Sequence, residues 1–363
     1  MDLLTLINNL QRNGEFRQLA LNKLAQFGTR NRRYLGAEFL PEREVESNQY
    51  TESQIRYVTI AAPSGSRYGP AQKRDNGVLS GSFNVVLGNV DISSEFTARD
   101  YDALIRYLAS NRDQQATANL VNWLDTTINR ALIETEELQR WEALINGSVV
   151  RRGDNGYEET ITYPNPTGHR VTAGGTWSND AYDPFEDIFN RVQFLRGKGY
   201  EVNRIITSTN VIAIMANNDK VRARAGTVNV VNGQLQVNAS SASIDAINGQ
   251  LKSNGLPNLE TYDLRTTLSD GTFQRFMPDN VMLFACLTGR DETIEVDANN
   301  QKIVSDTLGY MALGVPTGAL EPGRTIYVEN RNTKPRMVYA EGYEMTLPCL
   351  LDVEGFAVIT GIA

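Results

Sequence analysis

The chain has 363 residues, with 35 Lys and Arg against 43 Asp and Glu, a net charge of −8, a single His (His169) and two Cys (Cys286 and Cys349). One His rules out every two-histidine metal motif, and two separated Cys rule out a four-cysteine zinc site or a disulfide framework. No run of about 18 apolar residues is present to span a membrane, and at this length either two domains or one elaborate domain is expected.

The N-terminus opens Met1-Asp2 with no basic stretch before an apolar core, so a secretory signal is not expected. Low Cys usage suits a reducing cytoplasm, and both Cys sit among apolar neighbours, where they read as small buried hydrophobes. The charge is uneven. Residues 1–36 carry Arg12, Arg17, Lys23, Arg30, Arg32 and Arg33 against only Asp2 and Glu15, whereas residues 81–145 carry ten acidic and five basic groups. A basic arm on an acidic body fits charge-matched contact with a neighbour or a polyanion, and equally a solvated tail.

In chain order, residues 1–27 show helical spacing of Leu, Ile and Phe broken at Gly14, which reads as one or two short amphipathic helices. Residues 54–62 and 78–87 are β-branched and aromatic. The polar, glycine-rich stretch between them makes a long hairpin, with arms reaching about 30 Å. A lone two-stranded hairpin is marginal in water, so it is expected to rest on its own domain or on another subunit. A capping box at 97–100 starts a short helix. The longest helical signal then runs from 113 to 146, about 50 Å, with Gly147 as its stop. A turn-rich stretch leads to a helix begun by Asp183-Pro184 and ended at Gly197, a strand at 204–207 and a helix at 210–217. Residues 226–250 read as loop with strand fragments, 259–264, 273–276 and 281–287 as strands, 289–325 as a long excursion, and 325–363 as several antiparallel strands. The class is α+β.

No catalytic constellation emerges. The carboxylate pairs Asp100/Asp102 and Glu136/Glu137 lie on helical segments and read as solvated faces. Gly197-Lys-Gly199 lacks the spacing of a phosphate loop. His169 has no Gly-x-Ser-x-Gly partner and reads as a loop histidine, and the Asp/Asn-rich stretches lack calcium-loop spacing. No catalytic, cofactor-binding or metal-binding residue is expected.

Several stretches in a shared order resemble a known family: Glu134-Thr-Glu-Glu137 followed by Ala143-Leu-Ile-Asn-Gly147, Trp177 with Asp183-Pro184, Asn210 to Arg222, Phe276-Met-Pro-Asp-Asn-Val-Met-Leu283, and Gly342-Tyr-Glu-Met-Thr-Leu-Pro348. Together they span roughly 50 to 360. They resemble the major capsid proteins of tailed bacteriophages, in the branch of the lambda major head protein (capsid protein E).

The resemblance implies a Hong Kong 97-type fold with an N-terminal arm (1–47), an extended hairpin loop (48–82), a peripheral domain (83–202 plus 324–363) holding a spine helix at 113–146, and an axial domain (203–323). It implies a shell built from hexamers and pentamers of this chain around double-stranded DNA, assembled in the bacterial cytoplasm with a portal protein. Only some 45 residues precede the hairpin, so a separate scaffolding protein is expected. Some relatives crosslink through a Lys–Asn bond, but Lys73 has no matched Asn, so a decoration protein is the expected reinforcement. Inter-subunit contacts are expected from Ile55, Tyr57, Val58, Ile60, Arg67, Tyr68, Lys73 and Arg74 of the hairpin. Arm contacts are expected from Arg12, Arg17, Arg30, Arg32 and Arg33. DNA contact should be weak and sequence-independent, since the chain is acidic overall. A phage tail or baseplate module, or a hydrolase using His169, would be the rival readings.

Overall fold

The computed structural model describes residues 34–57, 78–96, 98–110, 113–153, 158–225, 228–231, 234–237, 242–268, 271–287, 294–296, 302–304, 307–331 and 336–362.

The longest helical signal folds as one uninterrupted run. Asp113–Leu124 is α-helical, Asp125–Asn129 forms a single π-helical turn, and Arg130–Asn146 resumes the α-helix. Leu120, Leu124, Ile128 and Leu132, four residues apart, make one buried stripe. Gly147, at φ 68°, ends the helix by donating to the Ala143 carbonyl, a left-handed position that glycine adopts without strain.

That stripe lies on a sheet organised by the long strand Met337–Leu350. Val338, Ala340, Gly342, Glu344 and Thr346 are buried, alternating with half-buried Met337, Tyr339, Glu341, Tyr343 and Met345, the period-two pattern of a strand with one covered face. Gly88–Phe96 pairs antiparallel along one edge. Along the other edge lie Thr325–Arg331 and then Gly309–Leu313, which in turn pairs in parallel with Glu42–Glu44. Residues 289–325 are therefore not one excursion: Gly309–Leu313 is a fully buried strand. Its small and apolar residues lack the alternation that marks a half-exposed strand.

A second five-stranded sheet runs Leu259–Thr261, Arg204–Thr207, Met282–Ala285, Phe356–Thr360, Arg170–Thr172. Helices Pro184–Gly197, Thr209–Asn217 and Ile244–Ser253 cover one of its faces. The helix Ile244–Ser253 corrects the reading of 226–250 as loop. Only Ile247 and Leu251 of it are buried, a stripe too sparse to stand out among Asn, Gln and Ser, and Ser243 caps it by accepting from the Ala246 amide at 3.1 Å. The short helix Asp219–Ala225 is likewise an addition. The hairpin strands are Gln49–Tyr57 and Val78–Val86, so pairing begins five residues earlier than the β-branched run at 54.

Helix and sheet pack closely where the π-helical turn crosses the long strand. A Cβ at Gly342 would lie 2.1 Å from Cγ2 of Ile128. Gly342→Ala should therefore lower stability by about 1–3 kcal/mol through overpacking. Ile128→Ala should relieve that clash, so the double variant should lose less than the two single losses added together. Denaturant unfolding of the four proteins measures the coupling.

Candidate assembly interface

Glu136 and Glu137 are fully buried, which corrects their reading as a solvated pair. Removing a carboxylate from water costs several kcal/mol unless it is matched, and both are matched. Arg140, one turn along the helix and 1% exposed, bonds Glu136 at 2.9 Å and donates through Nε to the Leu40 carbonyl at 3.0 Å. Arg324 reaches in from the sheet side, donating to Glu136 at 2.9 Å, Glu344 at 3.0 Å and Glu42 at 2.7 Å. Glu137 Oε1 accepts from the Gly36 amide, Trp141 Nε1 and the Tyr262 hydroxyl, all within 2.8 Å. A Cβ on Gly36 would lie 2.7 Å from Glu137 Oε2, so this close approach requires glycine.

The groups belong to the spine helix, the long strand, Tyr262, the residue before Thr325–Arg331, and the segment Gly36–Glu42. The segment Gly36–Leu40 is thus tied to the body by buried hydrogen bonds. Phe39 and Leu40, fully buried, add an apolar anchor, with the Phe39 ring edge-on to Trp141 at 6.1 Å.

The two acids Glu136 and Glu344 contact each other and titrate as a pair. Burial alone would raise the Glu136 pKa, but Arg324 and Arg140 outweigh it and hold the group below the ordinary carboxylate value. Burial, and then the Glu136 charge, push Glu344 well above it. Glu344 therefore holds the proton of the pair.

The hairpin has its own lock. The Tyr310 hydroxyl donates to Glu52 at 2.5 Å and accepts from Tyr50 at 2.9 Å, with the Arg43 guanidinium 4.8 Å above the Tyr310 ring. Cys349 is buried beside them, and burial pushes its thiol up to about 11. Asn48 bonds both backbone groups of Val315 and accepts the Leu87 amide through its carbonyl. Among the expected contact residues, Ile55 and Tyr57 stand on the first hairpin strand, opposite Ser80 and Val78. Val58, Ile60, Arg67, Tyr68, Lys73 and Arg74 lie outside the described residues, as do Arg12, Arg17, Arg30, Arg32 and Arg33.

His169 is a loop histidine, just before the strand Arg170–Thr172, and is fully buried there. Nδ1 donates to the Phe356 carbonyl at 2.7 Å and Nε2 accepts from Lys198 Nζ at 2.8 Å. Burial and then the Lys198 charge hold its pKa below the ordinary value, so the ring is a neutral structural bridge. With both nitrogens engaged it has no position from which to serve as a hydrolase base. Cys286 is half-buried rather than fully buried. Among the described residues no group of three or more His, Cys, Asp or Glu is placed to hold a metal ion, and no helix is long and apolar enough to cross a membrane.

The sequence profile of the phage major capsid protein E family matches residues 20–296. The chain belongs to that family. The family is structural, and its members form the shell of the virion. The fold is the α+β fold of phage capsid proteins. A crystal structure described as the capsid protein of a prophage of Escherichia coli CFT073 aligns with a TM-score of 0.51 at 16% identity, over 93% of this chain and 98% of the other. A phage-related protein of Bordetella bronchiseptica RB50 aligns with a TM-score of 0.53 at 11% identity, over 94% and 97%. No curated protein sequence matches the chain.

The proton on Glu344 makes the two buried glutamates unequal. Unfolding exposes Glu344 to ionise at its ordinary value of 4.5, releasing its proton. Its contribution to stability therefore falls as pH rises from about 4.5 toward the raised folded value. Glu344→Gln, an isostere of the protonated acid, should match the natural protein near pH 5 and become the more stable of the two as pH rises, because that slope is gone. Glu136→Gln should cost about 3–5 kcal/mol by leaving Arg140 and Arg324 undercompensated. Thermal unfolding from pH 5 to 9 checks both.

Proposed function

We propose that copies of this chain assemble into hexamers and pentamers of an icosahedral shell enclosing phage double-stranded DNA, and that the chain has no catalytic role. The observation that carries this reading is the way the body is built. The segment Gly36–Glu42 is fixed to the spine helix by buried polar contacts, and the base of the hairpin is fixed to the sheet beside it, on a body with its own cores. A subunit that presents long appendages from rigid roots suits heterologous contacts that close into rings. Once a ring forms, later contacts become effectively intramolecular, so each one can be modest.

In this reading residues 83–202 and 324–363 form the peripheral domain, 203–323 the axial domain, and 48–82 the extended loop lying across an adjacent subunit. Exposed ion pairs from Arg67, Lys73 and Arg74 would contribute only about 0–1 kcal/mol each. Burial of Ile55, Tyr57, Val58 and Ile60 would carry more, at about 25 cal/mol per Å². Assembly takes place in the host cytoplasm with a separate scaffolding protein and a portal protein. A decoration protein reinforces the shell, and contact with packaged DNA is weak and non-specific.

Deleting residues 63–77 tests the loop's part. Negative-stain microscopy should show the full chain forming closed shells or their hexameric units, and the deletion leaving a folded subunit that fails to close. Normal shells from the deletion would remove the loop from the assembly account. Trimers or tubes from the full chain would replace the shell with a tail component.

A further inference from the structure

The covered face of the sheet packs on the spine helix, but its opposite face is built from an unusual set of residues. Registered pairing puts Tyr343 between Thr325 and Asp91, Glu341 between Tyr327 and Ser93, and Tyr339 between Glu329 and Glu95. Directly opposed residues on neighbouring strands share a face. Three tyrosines and four carboxylates therefore stand together, on the positions that alternate with the buried ones. Asp91, Ser93 and Glu95 are exposed, and Tyr327 is 48% exposed. At one end of this face Arg331 lies 4.2 Å above the Tyr339 ring and bonds Glu329 at 3.2 Å. The face thus already seats one guanidinium between a ring and a carboxylate, the pairing that makes Tyr and Arg common at interface centres.

The complement is in the same chain. Residues 1–33 carry five Arg and one Lys against two acids, interspersed with Leu, Ile and Phe. The residues that follow this segment lie on the helix side: Tyr34 bonds Glu134, and Gly36 bonds Glu137, both on the spine helix. The tyrosine face looks away from that helix. From the helix side an arm reaches its own outward face only by passing around the edge of its own sheet, a constraint that does not bind the arm of a second copy.

We propose that the outward face formed by Asp91, Glu95, Tyr327, Tyr339, Glu341 and Tyr343 is the docking surface for the basic arm, residues 1–33, of a neighbouring copy of this chain. The proposal rests on the shell reading above. It assigns the arm, rather than the hairpin, to this face. Because the contact is largely between exposed charges, it weakens with ionic strength.

The test places the photo-crosslinker p-benzoylphenylalanine at Tyr327, and separately at Glu341, in particles assembled from equal parts of isotopically light and heavy chain. Both positions are solvent-accessible, so folding is retained. Microscopy first establishes that shells have closed. Irradiation should then give a dimer whose mapped peptides join the sheet face to residues 1–33, in mixed light–heavy pairs. The yield should fall at least fivefold in 1 M salt, and likewise when Arg30, Arg32 and Arg33 are all replaced by Glu. Closed shells that crosslink to the same chain's arm, to residues 58–77, to another protein or to nothing would overturn the proposal and leave the shell reading standing. If the unmodified chain forms no shells, the shell reading fails and this inference falls with it.

Discussion

The structure depends on a buried charge cluster between the spine helix and the long C-terminal strand. Glu136 and Glu137 are fully sealed from water beneath Trp141, Tyr262 and the arm root, in a place where an unmatched carboxylate would be costly. Arg140 and Arg324 match them from two sides, and Glu344 completes the set by carrying a proton. Glu136, Glu137 and Arg140 come from one helix, and Arg324, Glu344 and Glu42 from three other parts of the chain, so the cluster forms only when helix, sheet and the segment Gly36–Glu42 are already in register. Apolar packing such as the stripe from Leu120 to Leu132 has many near-equivalent arrangements. A guanidinium divided among three carboxylates has far fewer, and that restriction fixes where the segment Gly36–Glu42 sits on the body.

The consequence for function is mechanical. A shell subunit must hold whatever extends from it at defined angles, because an error at the root grows with distance from it. The arm root is held by Glu137 and Arg140, and the hairpin root by the Tyr50–Tyr310–Glu52 chain and by Asn48. The two are joined through one strand: Leu308 and Met311 donate to the carbonyls of Phe39 and Pro41, and Tyr310 between them carries the hairpin contact. Whatever bends one root is resisted by the sheet that carries the other.

Much of this fold was legible in the sequence. The run from 113 to 146 carries a regular apolar stripe and a glycine stop, and its limits fall where the helical run begins and ends. The N-cap Asp183 before Pro184 likewise marked its helix. Elements failed where the pattern was diluted: Ile244–Ser253 buries only two apolar side chains, and Gly309–Leu313 is buried on every side and so lacks alternation. The charge cluster was missed because Glu136 and Glu137, read on their helix alone, look like an ordinary solvated pair. Two signals were nonetheless present. Arg140 and Trp141 stand four residues after Glu136 and Glu137, on the same faces, and Glu344 occupies an inward position in the alternation Val338, Ala340, Gly342. A charged residue in a buried register asks for partners, and Arg324, 20 residues earlier, could not be identified as one without the pairing of the strands.

Hydrogen–deuterium exchange on the intact chain, comparing the natural protein with Arg324→Met, tests most directly whether the buried cluster unites these parts. The account predicts that residues 36–44, 130–146 and 337–350 lose protection together, because one guanidinium holds all three. Loss of protection confined to the loop around residues 314–325, with the helix and the arm root unchanged, would contradict it.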